Sequence, residues 1–338
     1  MRTSTRLAAG AAAFTLAALG IAGCGSKGSS GTAAPPPPPT TGASGEGCFG
    51  NAGSKLVVLE DDKHLQLSDN VVAAINDSAN NPAVLAAVNA VSAALDTQKL
   101  IALNRMVDVD RHTPAAAAAT FAQQNNITAG LAKGPGGNLK VGAANFSESE
   151  EIANLYKIAL TAAGYKVTVQ TIGNREIYEP QLEKNQIQIV PEYAATMADF
   201  LAKKQQGASA PEAASGDIDK TMSSLTDLGT KAHLVFGKPA AAVDTNAFAV
   251  TDVTAQRYNL KTLSDFAAKC SGPNTSLAGP AECPQRPFCQ AGLQDTYGIH
   301  FGKFLSMSDA GGPVTKKAIT DGVATIGLVF SSDSSLGG

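Results

Sequence analysis

Residues 139–150, LKVGAANFSESE, place a strand, a turn and a helix start side by side. Lys140–Ala143 alternates as a strand does. Ser147 has the chemistry of an N-cap, and Glu148, Glu150 and Glu151 behind it suit the positive end of a helix running to Ala163. Outward from here the alternation continues. Tyr165–Thr171 reads as a strand, Tyr178–Lys184 as a helix, and Gln188–Glu192 as a strand that leaves Tyr193 at its end. Residues 196–232 read as helical with a polar loop at about 205–216. Ala247–Thr251 reads as a strand, and Thr262–Lys269 as a helix begun at Thr262 or Ser264. Arg286–Tyr297 reads as loop or helix, Val314–Asp321 as helix and Ala324–Phe330 as strand. Upstream, Lys55–Glu60 and Val71–Ile75 are short apolar runs of strand character. Pro82–Leu103 has apolar residues at helical spacing after Asn81, and Thr113-Pro114 starts an Ala-rich helix to about Gln124. KGPGGN (133–138) is the clearest break in the body. The pattern predicts α/β lobes with largely parallel sheets, whose ligands lie beyond the carboxyl ends of the strands.

The N-terminus has its own logic. Arg2 and Arg6 precede the apolar run Leu7–Ala22, which reads as a secretory signal peptide (1–23). Ile21-Ala22-Gly23-Cys24 resembles the lipobox of bacterial lipoproteins, which makes Cys24 the lipidated residue. Lys27–Gly47 is Gly-, Ser-, Thr- and Ala-rich with a proline run at 35–39, so 24–54 reads as a stiff tether that buries no core. The remaining ~290 residues suit a two-lobed body or two small domains. A net charge of −3 provides no basic field for nucleic acid. No other apolar run approaches the ~18 residues of a membrane span.

Beside Cys24 the chain has Cys48, Cys270, Cys283 and Cys289, an even set in an exported protein. Three pairings are open. At least one bond is expected within the 270–289 cluster, and a second from Cys48 would pin the start of the body. The histidines at 64, 112, 233 and 300 have no metal-ligand spacing, so neither a metal nor a cofactor is expected. Glu60-Asp61-Asp62 reads as a solvated hinge loop, because adjacent acids on a strand diverge.

Several segments together resemble the substrate-binding proteins of osmoprotectant ABC importers, the glycine betaine and choline class. They are AANFSESE (143–150), IGNREIYEPQLEKNQIQIVPEYAAT (172–196), DTNAFAVT (244–251), YNLKTLSDFA (258–267), ECPQRPFCQAGLQDTYGIHF (282–301), DAGGPVTKKAITDGVATIGLVFSSD (309–333) and LVVLEDDKHLQLSDN (56–70). Their order is rotated, because the segment at 56–70 resembles the later part of such a protein. The resemblance implies an α/β, two-lobed, type II periplasmic-binding-protein-like fold, circularly permuted. Lobe one would hold 68–238, and lobe two would combine 55–67 with 239–338. KGPGGN would join the old ends.

The resemblance also implies a site. Tyr193 and Thr196 match the EYxGT ligand motif, with Ala195 in place of its glycine. Arg286 matches an arginine that binds a ligand carboxylate, and Phe330 falls where a cage tyrosine stands. Asp69, Asn145 and Asn246 complete the candidate set, Asp69 as a partner for a cation, hydroxyl or amine. A quaternary ammonium has no N–H to donate and is held by aromatic faces. Each residue also has a structural reading. Tyr193 and Phe330 suit the core, Arg286 suits an ion pair with Glu282, and Asn145 and Ser147 suit helix capping beside Phe146.

The expected function is non-catalytic: solute capture in a cleft by a monomeric, extracytoplasmic lipoprotein held at the membrane by its anchor. It would serve an ABC permease and its cytoplasmic ATPase. The competing readings are a sensor or scaffold lipoprotein on the same fold and a lipid-anchored hydrolase. The chain has no GxSxG for the latter.

Overall fold

The computed structural model describes residues 45–67 and 69–336. The expected signal peptide, the lipidation residue Cys24 and the tether up to residue 44 lie outside the described residues.

In chain order the body begins with β1 (Leu56–Leu59), β2 (Val71–Asn76), α1 (Pro82–Ala94), α2 (Thr97–Asp108) and α3 (Pro114–Gln124). Then come β3 (Asn138–Ala143), α4 (Ser147–Ala162), β4 (Lys166–Thr171), α5 (Arg175–Glu183), β5 (Ile189–Tyr193), α6 (Ala194–Gln206), α7 (Ile218–Lys231) and β6 (Leu234–Phe236). The rest is β7 (Asn246–Thr251), α8 (Asp252–Tyr258), α9 (Leu263–Cys270), β8 (Gly272–Pro280), α10 (Gln290–Tyr297), β9 (Phe301–Met307), α11 (Pro313–Thr320) and β10 (Ile326–Phe330).

These strands make two sheets of five, ordered β4-β3-β5-β2-β6 and β9-β8-β10-β7-β1. In the first, β3 runs parallel to β4 and β5, while β2 is antiparallel to β5 and β6. In the second, β8 runs parallel to β9 and β10, while β7 is antiparallel to β10 and β1. Each sheet thus has one inverted strand. It is the strand the chain enters on crossing from the other sheet: β2 after β1, and β7 after β6. The repeated order makes this a two-lobed type II periplasmic-binding-protein-like fold. The rotated chain order shows in the second sheet, where β1 completes an edge next to the much later β7.

The central strands are apolar because both of their faces are covered. In β2, Val71, Ala73 and Ile75 pack with Val84 and Val88 of α1 and Leu155 and Tyr156 of α4. Val72 and Ala74 face the opposite way, to Leu182 of α5, Met197 and Leu201 of α6 and Leu225 of α7. In the second lobe Phe248, Val250, Ile326 and Leu328 share a core with Leu263 and Phe266 of α9. Ala249 and Val329 turn to Ile319 of α11 on the other face.

Several sequence expectations need correction. The run Pro82–Leu103 is two helices at 91°, because the Asp96 carboxylate caps a new helix through the Lys99 N–H. Ser147 is not the N-cap of α4. Phe146 occupies that position, and the Ser147 hydroxyl donates to Asp108 (3.0 Å). Strands β8 and β9 carry glycine, lysine or proline instead of a clean apolar alternation, and β6 is only three residues, LVF, so none of the three was legible. Residues 45–54, assigned to the tether, lie along the second lobe instead. Cys48 is buried, its N–H donates to Thr275 Oγ1 (2.8 Å), and its carbonyl accepts from Thr325 Oγ1 (2.9 Å). Gly47, at φ +83°, comes so close to Thr275 and Gly272 that a Cβ would collide with backbone.

The two crossings lie side by side. The Val71 N–H donates to Ala242 O (3.1 Å), Ala240 N–H to Val71 O (2.8 Å), and Asp244 N–H to Asp69 O (3.0 Å). They form a short antiparallel ribbon joining the lobes.

Both expected disulfides are present: Cys283–Cys289 within the cluster, and Cys48 to the remaining Cys270. The second spans 222 positions of sequence and so constrains the unfolded chain strongly. Replacing both Cys48 and Cys270 by Ser should lower unfolding free energy by about 2–4 kcal/mol in a denaturant titration. Non-reducing peptide mapping of the native protein should recover the Cys48–Cys270 pair. A free Cys48 thiol would refute the assignment.

Candidate functional site

A cavity of about 410 Å³ lies between the lobes, at the carboxyl ends of β3, β5, β8 and β10. Tyr193, Thr196, Arg286, Phe330, Asp69, Asn145 and Asn246 all stand on its wall. Their partners differ from one to the next, and those partners define what each can do.

The aromatic wall is a row of rings. Phe146 stacks on Tyr193 at 6.4 Å between centroids and on Phe330 at 5.6 Å. Phe146 and Tyr193 come from the first lobe and Phe330 from the second, so the row crosses the cleft. The Tyr193 hydroxyl donates to Glu148. Phe288 adds another ring from the disulfide-closed 283–289 loop. Its carbonyl accepts from Asn246 Nδ2 (2.8 Å) and Gln66 Nε2 (3.0 Å), so Asn246 shapes that loop.

The guanidiniums are engaged. Arg175 is buried and forks onto Glu192, with Nε to Oε1 at 2.9 Å and Nη2 to Oε2 at 2.6 Å. Its Nη2 also donates to Thr196 Oγ1 (2.9 Å). Arg286 Nη2 donates to both oxygens of Glu176 (3.0 and 2.8 Å) and lies 3.6 Å from Glu282. Burial pushes the Glu176 carboxyl up, but the Arg286 guanidinium outweighs it and leaves it below the usual range. Glu176 belongs to α5 and Arg286 to the second lobe, so the pair bridges the cleft. Asn174 to Glu282 (3.0 Å) and Asn145 to Ser308 O (2.9 Å) bridge it as well. These are contacts of a closed pair of lobes.

The acids behind the rings are buried. Asp69 accepts from the Ala195 and Thr196 N–H groups (2.7 and 3.2 Å) at the start of α6. Burial raises its pKa to about 7, against the pull of Arg175 and these hydrogen bonds. Burial, reinforced by Glu148, also raises Asp244. Glu148 is itself raised by burial, although Ser332, Tyr193 and Asn104 all donate to it. The acids at the start of α4 are thus not simply a dipole-facing cluster. Glu148 is spent between the lobes, Glu150 accepts from Thr171 (2.7 Å), and Glu151 is wholly buried.

Sequence reading missed Phe146, Phe288, Asp244 and Glu148 as elements of the site. Phe146 had a usable signal, for it follows a strand end and precedes a helix, where α/β sheets hold ligands.

A protein-family profile described as the substrate-binding domain of the ABC-type glycine betaine transport system matches residues 49–124 and 137–337. The unmatched stretch holds most of the Gly/Pro break. Among solved structures, NikA from Brucella suis, in complex with Fe(III)-EDTA, is similar at 13% identity with a TM-score of 0.28. The alignment covers 56% of this chain and 47% of that one, about half its length. No curated protein sequence matches the chain.

Neither carboxyl oxygen of Glu151 has a hydrogen-bond partner. Burial first, then Glu148, Asp108 and Glu150, raise its pKa to about 9. The folded state therefore holds this proton more tightly than the unfolded chain. Stability from it is complete below the unfolded value near 4.5 and is lost as pH rises toward 9. Glu151→Met should flatten the fall in urea stability between about pH 5 and 9 and exceed the parent at about pH 8.5 by more than ~1 kcal/mol. An unchanged slope would show that Glu151 is not the group responsible.

Proposed function

The chain belongs to the family of substrate-binding domains of ABC-type glycine betaine transport systems, and we propose that it captures a quaternary ammonium solute between its lobes. In this reading it is an extracytoplasmic lipoprotein, anchored through Cys24 and acting as a monomer. It delivers the solute to a membrane permease driven by a cytoplasmic ATPase. Lobe one comprises 68–238, and lobe two comprises 55–67 with 239–338.

The observation that carries the reading is the ring row Tyr193–Phe146–Phe330, built from both lobes on one cavity wall. A trimethylammonium group offers no N–H, so hydrogen bonds cannot select it. Ring faces can, because their negative quadrupole attracts a cation and their carbon surface tolerates methyl groups. Only when the lobes close does Phe330 reach Phe146, so the complete wall exists in the closed form alone. The solute then stabilises closure by the difference in its affinity for the two forms. Closure also sets the bridging contacts Arg286–Glu176 and Asn174–Glu282. The closed shape is what the permease reads.

Titration calorimetry of the protein with glycine betaine, choline, carnitine and proline betaine tests this. At least one should bind saturably at micromolar level. Phe146→Ala and Tyr193→Ala should each weaken it roughly two- to thirtyfold, the worth of one ring. Silence from a folded protein across the set would reject the quaternary ammonium assignment and leave the family intact.

A further inference from the structure

We propose that Asp69 and Asp244 form a paired-carboxylate seat for positive charge, so that the captured solute is a net cation without a carboxylate, and its capture expels a proton. This rests on the reading above and names the charge class of its solute.

The geometry is that of the hinge. Asp69 and Asp244 stand on the two strands of the ribbon, joined by the Asp244 N–H to Asp69 O bond of 3.0 Å. They are 5% and 4% exposed, and both line the cavity. Each commits its Oδ1 to one lobe. Asp69 Oδ1 accepts from the first N–H groups of α6. Asp244 Oδ1 accepts from Ser332 N–H (3.0 Å) and Ser331 Oγ (3.3 Å), just past β10. The Thr196 and Ser332 hydroxyls act on Asp69 and Asp244 as well. Two buried carboxyls thus stand on neighbouring strands at the ring-lined cavity, held by neutral donors.

The surrounding charges do not neutralise them. From α5, Arg175 is committed to Glu192 of β5 and to Thr196. From the second lobe, Arg286 is committed to Glu176 of α5 and lies near Glu282. From α4, Glu148 adds a further acid, and from β5 the Tyr193 hydroxyl is already donated to it. Lys203 is on the wall too, but stands roughly 10 Å along α6 from Thr196 at 1.5 Å per residue. Burial, with Glu148 and then Asp69 acting on Asp244, disfavours full ionisation of these neighbouring carboxyls without a counter-charge. In the empty cavity the pair keeps a proton. A cation seated on the rings replaces it, and the proton leaves to bulk solvent. The carboxyl O–H is the one bond broken: its electron pair stays on the carboxylate, and water or a buffer base takes the proton. The fully ionised acids then accept more strongly from α6 on one side and Ser332 on the other, which ties charge at the hinge to both lobes. A zwitterion brings its own carboxylate into this field and finds no unpaired guanidinium to receive it.

The test is calorimetry of the full chain with choline chloride and with glycine betaine, at about pH 6.5, in two buffers of different ionisation enthalpy. Choline should release close to one proton, and its Kd should fall by up to about tenfold per pH unit between about pH 6 and 7. Glycine betaine should bind at least about tenfold more weakly. Asp69→Asn and Asp244→Asn keep an Oδ1 acceptor for the backbone bonds and should each abolish proton release. If Asp69→Asn does not fold, the wild-type proton count and Asp244→Asn decide. Choline binding without proton exchange, or betaine bound more tightly than choline, would overturn the seat while the quaternary ammonium reading stands. Failure of both ligands to bind would overturn the two together.

Discussion

The ribbon of backbone hydrogen bonds between residues 69–71 and 240–244 is the constraint on which the rest of the molecule depends. It is the only place among the described residues where both chain crossings run together, Asn70 opposite Val243. It fixes which strand of each sheet is inverted, because β2 and β7 are each entered from it. It also sets the distance between two otherwise separate cores. The side chains next to it are not apolar filler. Asp69 and Asp244 use one oxygen each to hold the first residues of α6 and the turn after β10. A hinge held by carboxyl groups is electrically responsive in a way that a hinge packed with leucine is not.

Two kinds of interaction meet at the cavity. The ring row is insensitive to pH and to salt, and selects by shape and polarisability. The buried acids are sensitive to charge, because burial disfavours their ionised forms. The guanidiniums serve neither purpose directly. Arg175 neutralises Glu192 inside the first lobe, and Arg286 holds Glu176 across the cleft. The Cys283–Cys289 bond closes the loop that carries Arg286 and Phe288, so the second lobe offers a stiff surface to the first. In the same lobe Cys48–Cys270 ties the segment before β1 to the start of β8.

The fold was legible where periodicity and capping agreed. Asn81-Pro82, Thr113-Pro114 and Thr262 with Asp265 all start helices as their chemistry requires. It was less legible where tertiary contacts decide. Asp96 looked like one polar residue inside a helix but starts a second one. Strand β8, GPNTSLAGP, has little intrinsic strand character and is held by neighbours on both sides. The wall of the site was legible through its strand ends, as with Tyr193 and Phe330. Partnership was not, because ion pairs such as Arg286–Glu176 join residues 110 positions apart. The pairing of Asp69 with Asp244 exists only once the crossings are adjacent.

A crystal structure of the protein grown with choline decides whether a quaternary ammonium sits between the ring row and the hinge acids. The account predicts the trimethylammonium group against Tyr193, Phe146 and Phe330, with Asp69 and Asp244 the nearest charged groups. Choline bound elsewhere, or a closed cavity in which Arg286 has left Glu176 to serve the ligand, would contradict it.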